Sequence, residues 1–471
     1  MNDYLSQLSD NQQQITRLLA ETFAGANEEL HLVGGVVRDV LLGRAQETDL
    51  DFATSASTAR VQELLSAAGA DSVYLVGEQY GTVGAIFTRS ECPENVEITT
   101  YRSEVYPDET RFPEVAFDVS LIDDLARRDF TMNAMAVDAM TGALTDPWFG
   151  EADIALAVIR AVGVADERFQ EDPLRLLRAA RFVSQLGFRL DWETEAAMTR
   201  QAASLGRISR ERILAELTSL LVGQYVDHGL DVLRRTGLLS IALPELEPLV
   251  QEADADLTAR FGREKDLWDH TVRVVRQAPA RPAVRWAALL HDAAKPMTRV
   301  LDVTGEVHFY GHERIGADLA LRLLSRLNAD KTLRSTVQLL VAMHGRPAAY
   351  DESWTDSAVR RLALDAGHAW TDLLDLAAAD VTSGREQKRN IAATRVAGLS
   401  ERFDRLQAEA ALDRLESPLD GNDLMKLFHL PPGPWIKRIK ERLRDLVIEG
   451  QIDPEDRDGA ALIAKDLLSE D

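Results

Sequence analysis

The stretch Leu32-Val-Gly-Gly-Val-Val-Arg-Asp-Val-Leu-Leu-Gly43, followed closely by Thr48-Asp-Leu-Asp-Phe52, is the most informative part of the chain. It predicts a strand, a glycine turn, a short helix and a second strand that carries two carboxylates. Because alternate side chains of a strand share a face, Asp49 and Asp51 are expected to point to the same side. Mg²⁺ commonly takes one or two carboxylates together with substrate phosphates. The pattern therefore predicts a site for a divalent metal and a nucleoside triphosphate.

The residues between the two strands suit the phosphates of such a substrate. Gly34 and Gly35 have no Cβ, so their backbone N–H groups can approach phosphate oxygens and adopt a positive φ. Arg38 falls in the first turn of the expected helix, where the helix dipole also favours an anion. The alternative is an exposed strand end with a solvated Asp-x-Asp pair. The combination of turn, arginine and spacing favours the binding site.

Five further segments carry a resemblance to a known family. They are Gly77-Glu-Gln-Tyr-Gly-Thr-Val83, Val96-Glu-Ile-Thr-Thr-Tyr-Arg102, Arg127-Arg-Asp-Phe-Thr-Met-Asn-Ala-Met-Ala136, Glu171-Asp-Pro-Leu-Arg-Leu-Leu-Arg-Ala-Ala-Arg-Phe182 and Ile208-Ser-Arg-Glu-Arg-Ile-Leu-Ala-Glu-Leu217. With them the chain resembles the class II tRNA nucleotidyltransferases, which include CCA-adding enzymes and bacterial poly(A) polymerases. A weaker match near Gly421 and Pro432 extends the resemblance toward the C-terminus.

The resemblance implies a fold as well as an activity. It implies an α/β head, a polymerase-β-like nucleotidyltransferase palm with a mixed sheet. An elongated all-α neck, an HD-type helical domain and a C-terminal helical region that contacts tRNA would follow. The expected boundaries are 1–150, 151–255, 256–400 and 401–471. Strand-like runs before residue 150 and helical periodicity from about residue 170 agree with this order.

The resemblance also assigns roles to individual residues. It implies Asp49, Asp51 and Glu97 as catalytic carboxylates, with the two aspartates as Mg²⁺ ligands. It implies a nucleotide-binding set made of Gly34, Gly35, Arg38, Arg128, Asp129, Asn133, Asp172, Arg175, Arg178 and Arg181. The substrates would be CTP, ATP and a tRNA 3′ end.

Asp172 and Arg175 would choose the base. They are three residues apart, so on one helix they are neighbours. A carboxylate beside a guanidinium can complement the edge of a base. In the family this pair acts as a protein template for C and A, and the resemblance carries that role to this chain. The alternative is an ordinary surface ion pair.

The segment Val105-Tyr-Pro-Asp-Glu-Thr-Arg-Phe-Pro113 bears on the type of family member. Its prolines and charges predict a mobile loop. CCA-adding members carry a flexible loop here with an aspartate and an arginine, which Asp108 and Arg111 match. Bacterial poly(A) polymerases tend to have a basic element where this chain reads Gly77-Glu-Gln-Tyr. Both features favour CCA addition over poly(A) synthesis.

Composition indicates an intracellular enzyme. The 471 residues include one cysteine, Cys92, which cannot form an internal disulfide. Neither a signal-peptide pattern nor an apolar run of membrane-spanning length is present, so we expect a cytoplasmic protein that does not bind membranes.

The net charge of −24 argues at first against binding of nucleic acid. Basic residues nevertheless concentrate in two regions, Arg160, Arg168, Arg175, Arg178, Arg181 and Arg189, and Lys437, Arg438, Lys440, Arg442 and Arg444.

A second constellation lies in the middle of the chain and resembles the HD phosphohydrolase pattern. It consists of His270, His291, Asp292, His312, His344 and Asp380. Imidazole and carboxylate ligands suit a transition metal such as Mn, Fe, Ni or Zn. Lys295 could assist phosphate binding. The site could also be structural only.

Three functions from different classes therefore compete. The first is a tRNA nucleotidyltransferase with a possible HD phosphohydrolase activity. The second is a metal-dependent phosphohydrolase that acts on RNA 3′ ends or nucleotides. The third is a non-catalytic RNA-binding protein. The Asp49/Asp51 pair and the triphosphate motifs favour the first.

Overall fold

The computed structural model describes residues 4–44, 49–76, 81–88, 93–105, 114–117, 119–254, 267–304, 307–381, 386–408 and 417–469. The chain divides into two compact units, Met1–Pro244 and Glu245–Asp471. The predicted boundaries after residues 150 and 400 lie inside these units and stay predictions. No described helix combines the length and the apolar character that a membrane span requires.

The first unit contains a seven-stranded mixed sheet. Its strands are β1 (Leu30–Val33), β2 (Leu50–Thr54), β3 (Ser72–Leu75), β4 (Thr82–Phe87), β5 (Glu94–Thr100), β8 (Ala136–Asp138) and β9 (Leu144–Thr145). They follow the order β3-β4-β5-β2-β1-β8-β9. Strands β2 and β5 run parallel, and the other neighbouring strands run antiparallel. The mixed sheet expected for the head is confirmed.

Two short strand pairs and a set of helices complete this unit. The pairs are β6 (Ser103–Val105) with β7 (Glu114–Ala116), and β10 (Val158–Ile159) with β11 (Arg189–Leu190). The helices are α1 (Asp10–Gly25), α2 (Gly35–Leu41), α3 (Thr58–Ala67), α4 (Leu121–Ala126), α5 (Gly150–Ala155), α6 (Ala165–Glu171), α7 (Leu174–Leu186), α8 (Trp192–Gln201), α9 (Arg210–Leu221), α10 (Val226–Arg235) and α11 (Leu238–Ala242).

Apolar side chains fix helix α7 at the centre of this helical region. Leu176 and Leu177 are buried, and α7 packs against α9 and α10. Phe182 meets Phe130 edge to face, with ring centroids 5.7 Å apart. Phe130 and Met132 are fully buried, as expected for core residues within the Arg127–Ala136 segment. This packing holds the polar residues of both segments close together.

The second unit is predominantly helical. Its helices are α12 (Glu247–Asp254), α13 (Leu267–Gln277), α14 (Pro282–Leu290), α15 (Lys295–Thr298), α16 (His312–Arg326), α17 (Lys331–Met343), α18 (Gly345–Ala348), α19 (Asp356–Ala366), α20 (Trp370–Ala379), α21 (Glu386–Ala408), α22 (Gly421–Phe428), α23 (Pro434–Ile448) and α24 (Arg457–Ser469). An antiparallel hairpin, β12 (Arg299–Leu301) with β13 (Val307–Phe309), interrupts the helices and was not expected from the sequence. Strands of three residues are too short to show a clear alternation.

Candidate active site and metal centre

Three carboxylates meet on two central strands of the sheet in the first unit. In the parallel pair of β2 and β5, Asp51 lies directly opposite Glu97. Adjacent strands are about 4.8 Å apart, so these two side chains are neighbours on one face. Asp49 immediately precedes β2 and is exposed, whereas Asp51 is half-buried. The strand register thus brings together the three carboxylates expected from the sequence.

The electrostatics of this cluster favour a cation. Burial and the neighbouring Glu97 raise the pKa of Asp51 to about 6, Asp49 adds to the shift, and Arg128 opposes it. Burial is the larger cause and the like charge of Glu97 the next, so a bound cation would favour the ionised form of Asp51. Carboxylate oxygens are the ligands that Mg²⁺ prefers. Asp49, Asp51 and Glu97 therefore form a donor set that fits this ion.

The glycine turn before α2 makes room for an arginine. Gly34 has a φ of +73°, a conformation that residues with a side chain rarely adopt. A Cβ on Gly34 would lie 3.0 Å from Nη1 of Arg128. Nη2 of Arg128 donates to Oδ2 of Asp124 at 3.1 Å, and Nη1 donates to the Asn133 carbonyl at 3.4 Å. The turn and the arginine, both expected to bind nucleotide, are thus in close proximity.

Asp124 supports this arginine and is a residue that the sequence reasoning missed. It is fully buried, and its Oδ1 accepts from Nη2 of Arg127 at 2.6 Å. Burial alone would raise its pKa, but Arg128 and Arg127 hold the pKa of Asp124 below its usual range. Its spacing could have revealed it, since it precedes the two arginines by three and four residues on a helical segment.

Arg38 is neutralised by its own neighbour. Its Nε and Nη2 donate to the two oxygens of Asp39, both at 2.9 Å. Its Nη1 donates to Oδ1 of Asn133 at 3.0 Å, and its guanidinium lies 5.3 Å from the centroid of the Phe182 ring. A Cβ on Gly35 would lie 3.6 Å from Nη2 of Arg38. Arg38 therefore faces the same pocket but brings little net charge of its own.

Asp129 organises the next layer of the pocket. Its Oδ1 accepts from Nδ2 of Asn133 at 3.1 Å, and its Oδ2 accepts from Nε of Arg178 at 2.7 Å. Burial opposes ionisation, yet Arg178 and Asn133 lower the pKa of Asp129 to about 2. Asp129 is therefore a permanent anion that fixes one arginine and one amide of the expected nucleotide-binding set.

The expected placement of Asp172 and Arg175 on one helix is wrong for this structure. Helix α7 begins at Leu174, and Asp172 precedes it with an extended backbone. Pro173 explains this, because a residue before proline is disfavoured in the helical conformation. The backbone N–H of Arg175 donates to the Asp172 carbonyl at 3.0 Å, but among the described residues no hydrogen bond or ion pair joins their two side chains. Oδ2 of Asp172 instead accepts from Nη2 of Arg212 at 2.8 Å.

Arg175 is buried and joins three segments. Its Nη1 donates to Oε2 of Glu171 at 2.8 Å and to the Arg168 carbonyl at 3.1 Å. Its Nη2 donates to the Arg127 carbonyl at 2.7 Å. Three of its five N–H groups are thereby used, which leaves two for another acceptor. Arg175 connects the start of α7 to α6 and to the head segment that carries Arg128.

Helix α9 places Glu216 against two arginines of the pocket, and the sequence reasoning did not single out Glu216. Oε2 of Glu216 lies 3.1 Å from Nε of Arg181, and its Oε1 lies 3.8 Å from Nη1 of Arg178. Both arginines also approach the Phe182 ring, at 5.5 Å for Arg178 and 4.6 Å for Arg181.

Asp108 and Arg111, the loop residues expected to move, lie outside the described residues.

In the second unit, the six expected metal ligands converge. Two groups of ligand atoms each lie within 4.8 Å of one another, His270, His291 and Asp380, and Asp292, His312 and His344. Most of these residues stand at helix ends. His291 follows α14, His312 begins α16, His344 follows α17 and Asp380 follows α20. The helix ends therefore bring distant parts of the sequence to one place.

Hydrogen bonds orient three of the imidazoles. Nδ1 of His291, His312 and His344 lies 2.8 Å from the carbonyl oxygen three residues earlier in each case. Because Nδ1–H donates to a carbonyl, Nε2 is the ring nitrogen that faces the cluster. The Nε2 atoms of these residues are the ones that approach Asp292. This arrangement is the one that metal-binding histidines use.

Asp292 lies between the two groups. Its Oδ2 is 3.2 Å from Nε2 of His291 and 2.7 Å from Nζ of Lys295. Burial opposes its charge, but His291, His270 and Lys295 hold the pKa of Asp292 well below its usual range. Its Oδ1 is buried and accepts no hydrogen bond from the described residues, although it lies 3.5 Å from Nε2 of His312. A buried carboxylate oxygen beside several imidazole nitrogens fits a divalent metal.

Comparison with known protein families agrees with both sites. The model of the poly A polymerase head domain matches residues 30–160, and that of a probable RNA and SrmB-binding site of polymerase A matches residues 187–250. The HD domain model matches residues 265–406. The carboxylate-bearing sheet and the histidine cluster thus define a nucleotidyltransferase that carries an HD domain.

Individual relatives indicate which nucleotidyltransferases this chain is similar to. The CCA-adding enzyme of Geobacillus sp. (strain WCH70) is 33% identical over 436 residues, 92% of each chain. The A-adding tRNA nucleotidyltransferase of Deinococcus radiodurans is 32% identical over 89% of this chain and 92% of that protein. The crystal structure of Bacillus stearothermophilus CCA-adding enzyme in complex with CTP matches with a TM-score of 0.71 at 27% identity, over 97% of this chain and 98% of that one. The chain belongs to the CCA-adding family of tRNA nucleotidyltransferases.

Proposed function

We propose that this enzyme adds C, C and A to the 3′ end of tRNA from CTP and ATP without a nucleic-acid template. The observation that carries the proposal is the register of Asp51 opposite Glu97, with Asp49 beside them. Mg²⁺, when bound by Asp49 and Asp51, would lower the pKa of the tRNA 3′-OH and neutralise the triphosphate. Attack on the α-phosphorus would release pyrophosphate.

The protein's own residues would bind and orient the nucleotide. Arg128 stands against the Gly34 turn, where it can donate to triphosphate oxygens. Asp129 and Asn133 would order the sugar and the neighbouring backbone, and Arg178 and Arg181 extend the positive surface. Asp172 and Arg175 would read the base, Asp172 as an acceptor and Arg175 through the N–H groups that its structural bonds leave free.

Two of the relatives bear on which nucleotides the enzyme adds. The similarity to a protein solved with CTP supports a CTP-binding pocket. Because an A-adding relative is almost equally similar, full CCA addition needs a direct test. The test incubates the enzyme with tRNA transcripts that end before the first C, after C-C, or after C-C-A, with labelled CTP or ATP. Addition of C and then A supports the proposal. Addition of A alone to the C-C end would indicate an A-adding enzyme, and continued A addition a poly(A) polymerase.

We further propose the domain boundaries 1–150, 151–255, 256–400 and 401–471 and a cytoplasmic location. The region after residue 400 would contact tRNA, because helix α23 carries Lys437, Arg438, Lys440, Arg442 and Arg444. Lys437 is 82% exposed and lies 3.9 Å from Oε1 of Glu441, a solvent-exposed contact that an RNA phosphate would compete with. Cell fractionation tests the location, and tRNA footprinting on wild type and a Lys437→Ala/Lys440→Ala variant tests the contact.

A second activity, phosphate-ester hydrolysis at the HD centre, is supported by the buried Asp292 carboxylate between two ligand groups. We propose a transition metal there, and Lys295 close to Asp292 would bind substrate phosphate. A metal in this cluster would activate water for attack on phosphorus. Incubation with 2′,3′-cyclic nucleotides and phosphate monoesters, with and without added Mn²⁺, Ni²⁺ or Zn²⁺, tests the activity. Failure to hydrolyse any of them with metal bound would leave the centre a structural one.

A further inference from the structure

Arg212 holds the carboxylate that is proposed to read the base. Oδ1 of Asp172 accepts the backbone N–H of Leu174 at 3.0 Å, and Oδ2 accepts Nη2 of Arg212 at 2.8 Å. One oxygen is therefore fixed by the backbone and the other by a side chain from α9. The orientation of this carboxylate depends on Arg212 as well as on the start of α7.

Helix α9 supports the pocket through one face. Arg212 and Glu216 are four residues apart, so they lie on the same side of the helix. Glu216 approaches Arg178 and Arg181, both members of the nucleotide-binding set. The same face thus presents a cation to Asp172 and an anion to two arginines. Such complementary contacts position the charged groups of the pocket from a single element.

The orientation of the Asp172 carboxylate matters for base choice. Cytosine and adenine present an amino group, N4 or N6, where uracil and guanine present a carbonyl oxygen. A carboxylate only accepts hydrogen bonds, so it attracts the amino group and repels the carbonyl oxygen. If the carboxylate turns away, the attraction and the repulsion are both weakened. Discrimination then decreases.

We infer that Arg212 is a specificity-determining residue that acts by positioning Asp172. The inference rests on the proposed nucleotide addition and deepens it. Arg212 can keep its bond while a base amino group donates to the same carboxylate, because each oxygen has two lone pairs. The Arg212 side chain is 52% exposed, so it has room to follow small movements of Asp172.

The test compares single-turnover addition of C and of U by the full chain on a tRNA transcript without its 3′ C-C-A. Arg212→Ala should reduce the preference for CTP over UTP roughly two- to fivefold, the range of an exposed ion pair. Arg212→Lys should restore part of the preference. Arg200→Ala is the matched control, since Arg200 is 57% exposed and pairs with Asp166 at 2.5 Å. The preference of the Arg200→Ala variant for CTP over UTP should stay at the wild-type value.

A double variant separates positioning from a general structural effect. In an Asp172→Ala background, Arg212→Ala should change the CTP preference no further, because the group it positions is gone. Equal effects on CTP and UTP in Arg212→Ala, or a further loss in the double variant, would overturn the inference. A wild-type enzyme that extends no tRNA would instead overturn the proposed function, so the two failures are distinguishable.

Discussion

Asp51 in β2 faces Glu97 in β5 across a parallel strand pair, and the repulsion between them is relieved only in part by Arg128. This relationship makes the carboxylate cluster on β2 and β5 a place where a divalent cation would relieve the repulsion. It also explains how two segments separated by more than forty residues contribute to one cluster of carboxylates.

Substitution of the carboxylates should stop nucleotide addition. Asp49→Ala, Asp51→Ala or Glu97→Gln is expected to slow the addition of both C and A by at least about 10²- to 10³-fold, the size of the loss of one preorganised electrostatic group. Radiolabelled incorporation measures the rate, and filter binding should show tRNA affinity close to wild type. Glu94→Gln is the control, because Glu94 is three positions away on β5 and points to the other face. Substantial incorporation by Asp51→Ala contradicts the assignment.

The buried anion Asp129 should give the protein a pH-dependent share of its stability. Its pKa is lowered to about 2 in the folded protein, so its contribution is present above the unfolded value of 3.8. It is lost as the pH falls through about 2. Asp129→Asn should lower the free energy of unfolding by about 2 kcal/mol at pH 6, with the difference shrinking below pH 4. Urea unfolding at several pH values measures this. A difference that stays constant down to pH 2.5 would exclude the ion pair with Arg178 as its source.

Arg175→Ala should broaden nucleotide use and also destabilise the protein. Glu171 and two carbonyls would lose a buried donor, at a cost of about 1–3 kcal/mol. The same variant should add U or G more readily relative to C and A. Thermal melting measures the loss of stability, and competition between the four nucleotides measures the loss of base selectivity. If all four slow by the same factor, Arg175 is only structural.

The segment that contains Asp108 and Arg111 should control the change from C to A. After two additions of C the pocket must accept a purine, which requires something to move. Deletion of residues 107–112 is expected to leave tRNA that ends in C-C. Sequencing gels of the product show this directly, and normal addition of the terminal A by the deletion variant would refute the role of the loop.

The HD centre should work independently of the head. His291→Ala/Asp292→Ala should lose bound transition metal and any phosphate-ester hydrolysis, while nucleotide addition stays near wild type. His368→Ala is the control, since His368 is exposed and bonds Thr336 instead of the cluster. Elemental analysis measures the metal. A folded double variant that no longer adds nucleotides would show that the two sites are coupled.

The sequence was sufficient for the parts that rest on local patterns. The Asp-x-Asp spacing, the glycine turn and the histidines could be read directly, and the mixed sheet followed from the resemblance. The partner of Asp172 could not be read from the sequence, because Arg212 is forty residues away and Pro173 moves Asp172 out of the helix. Glu216 was missed for a related reason, because the arginines that it approaches lie on another helix. Asp124 lies three and four residues before its arginines, so its spacing alone could have revealed it.

The bonds from three imidazoles to backbone carbonyls have a consequence for how the HD centre acquires its ion. The backbone carbonyls fix the same ring nitrogen, Nδ1, in all three residues, so each would bind a metal through Nε2. Imidazole and carboxylate ligands accept several first-row metals, so availability would contribute to which one is bound. Protein purified from manganese-rich and from zinc-rich cultures should carry different metals at the same HD centre.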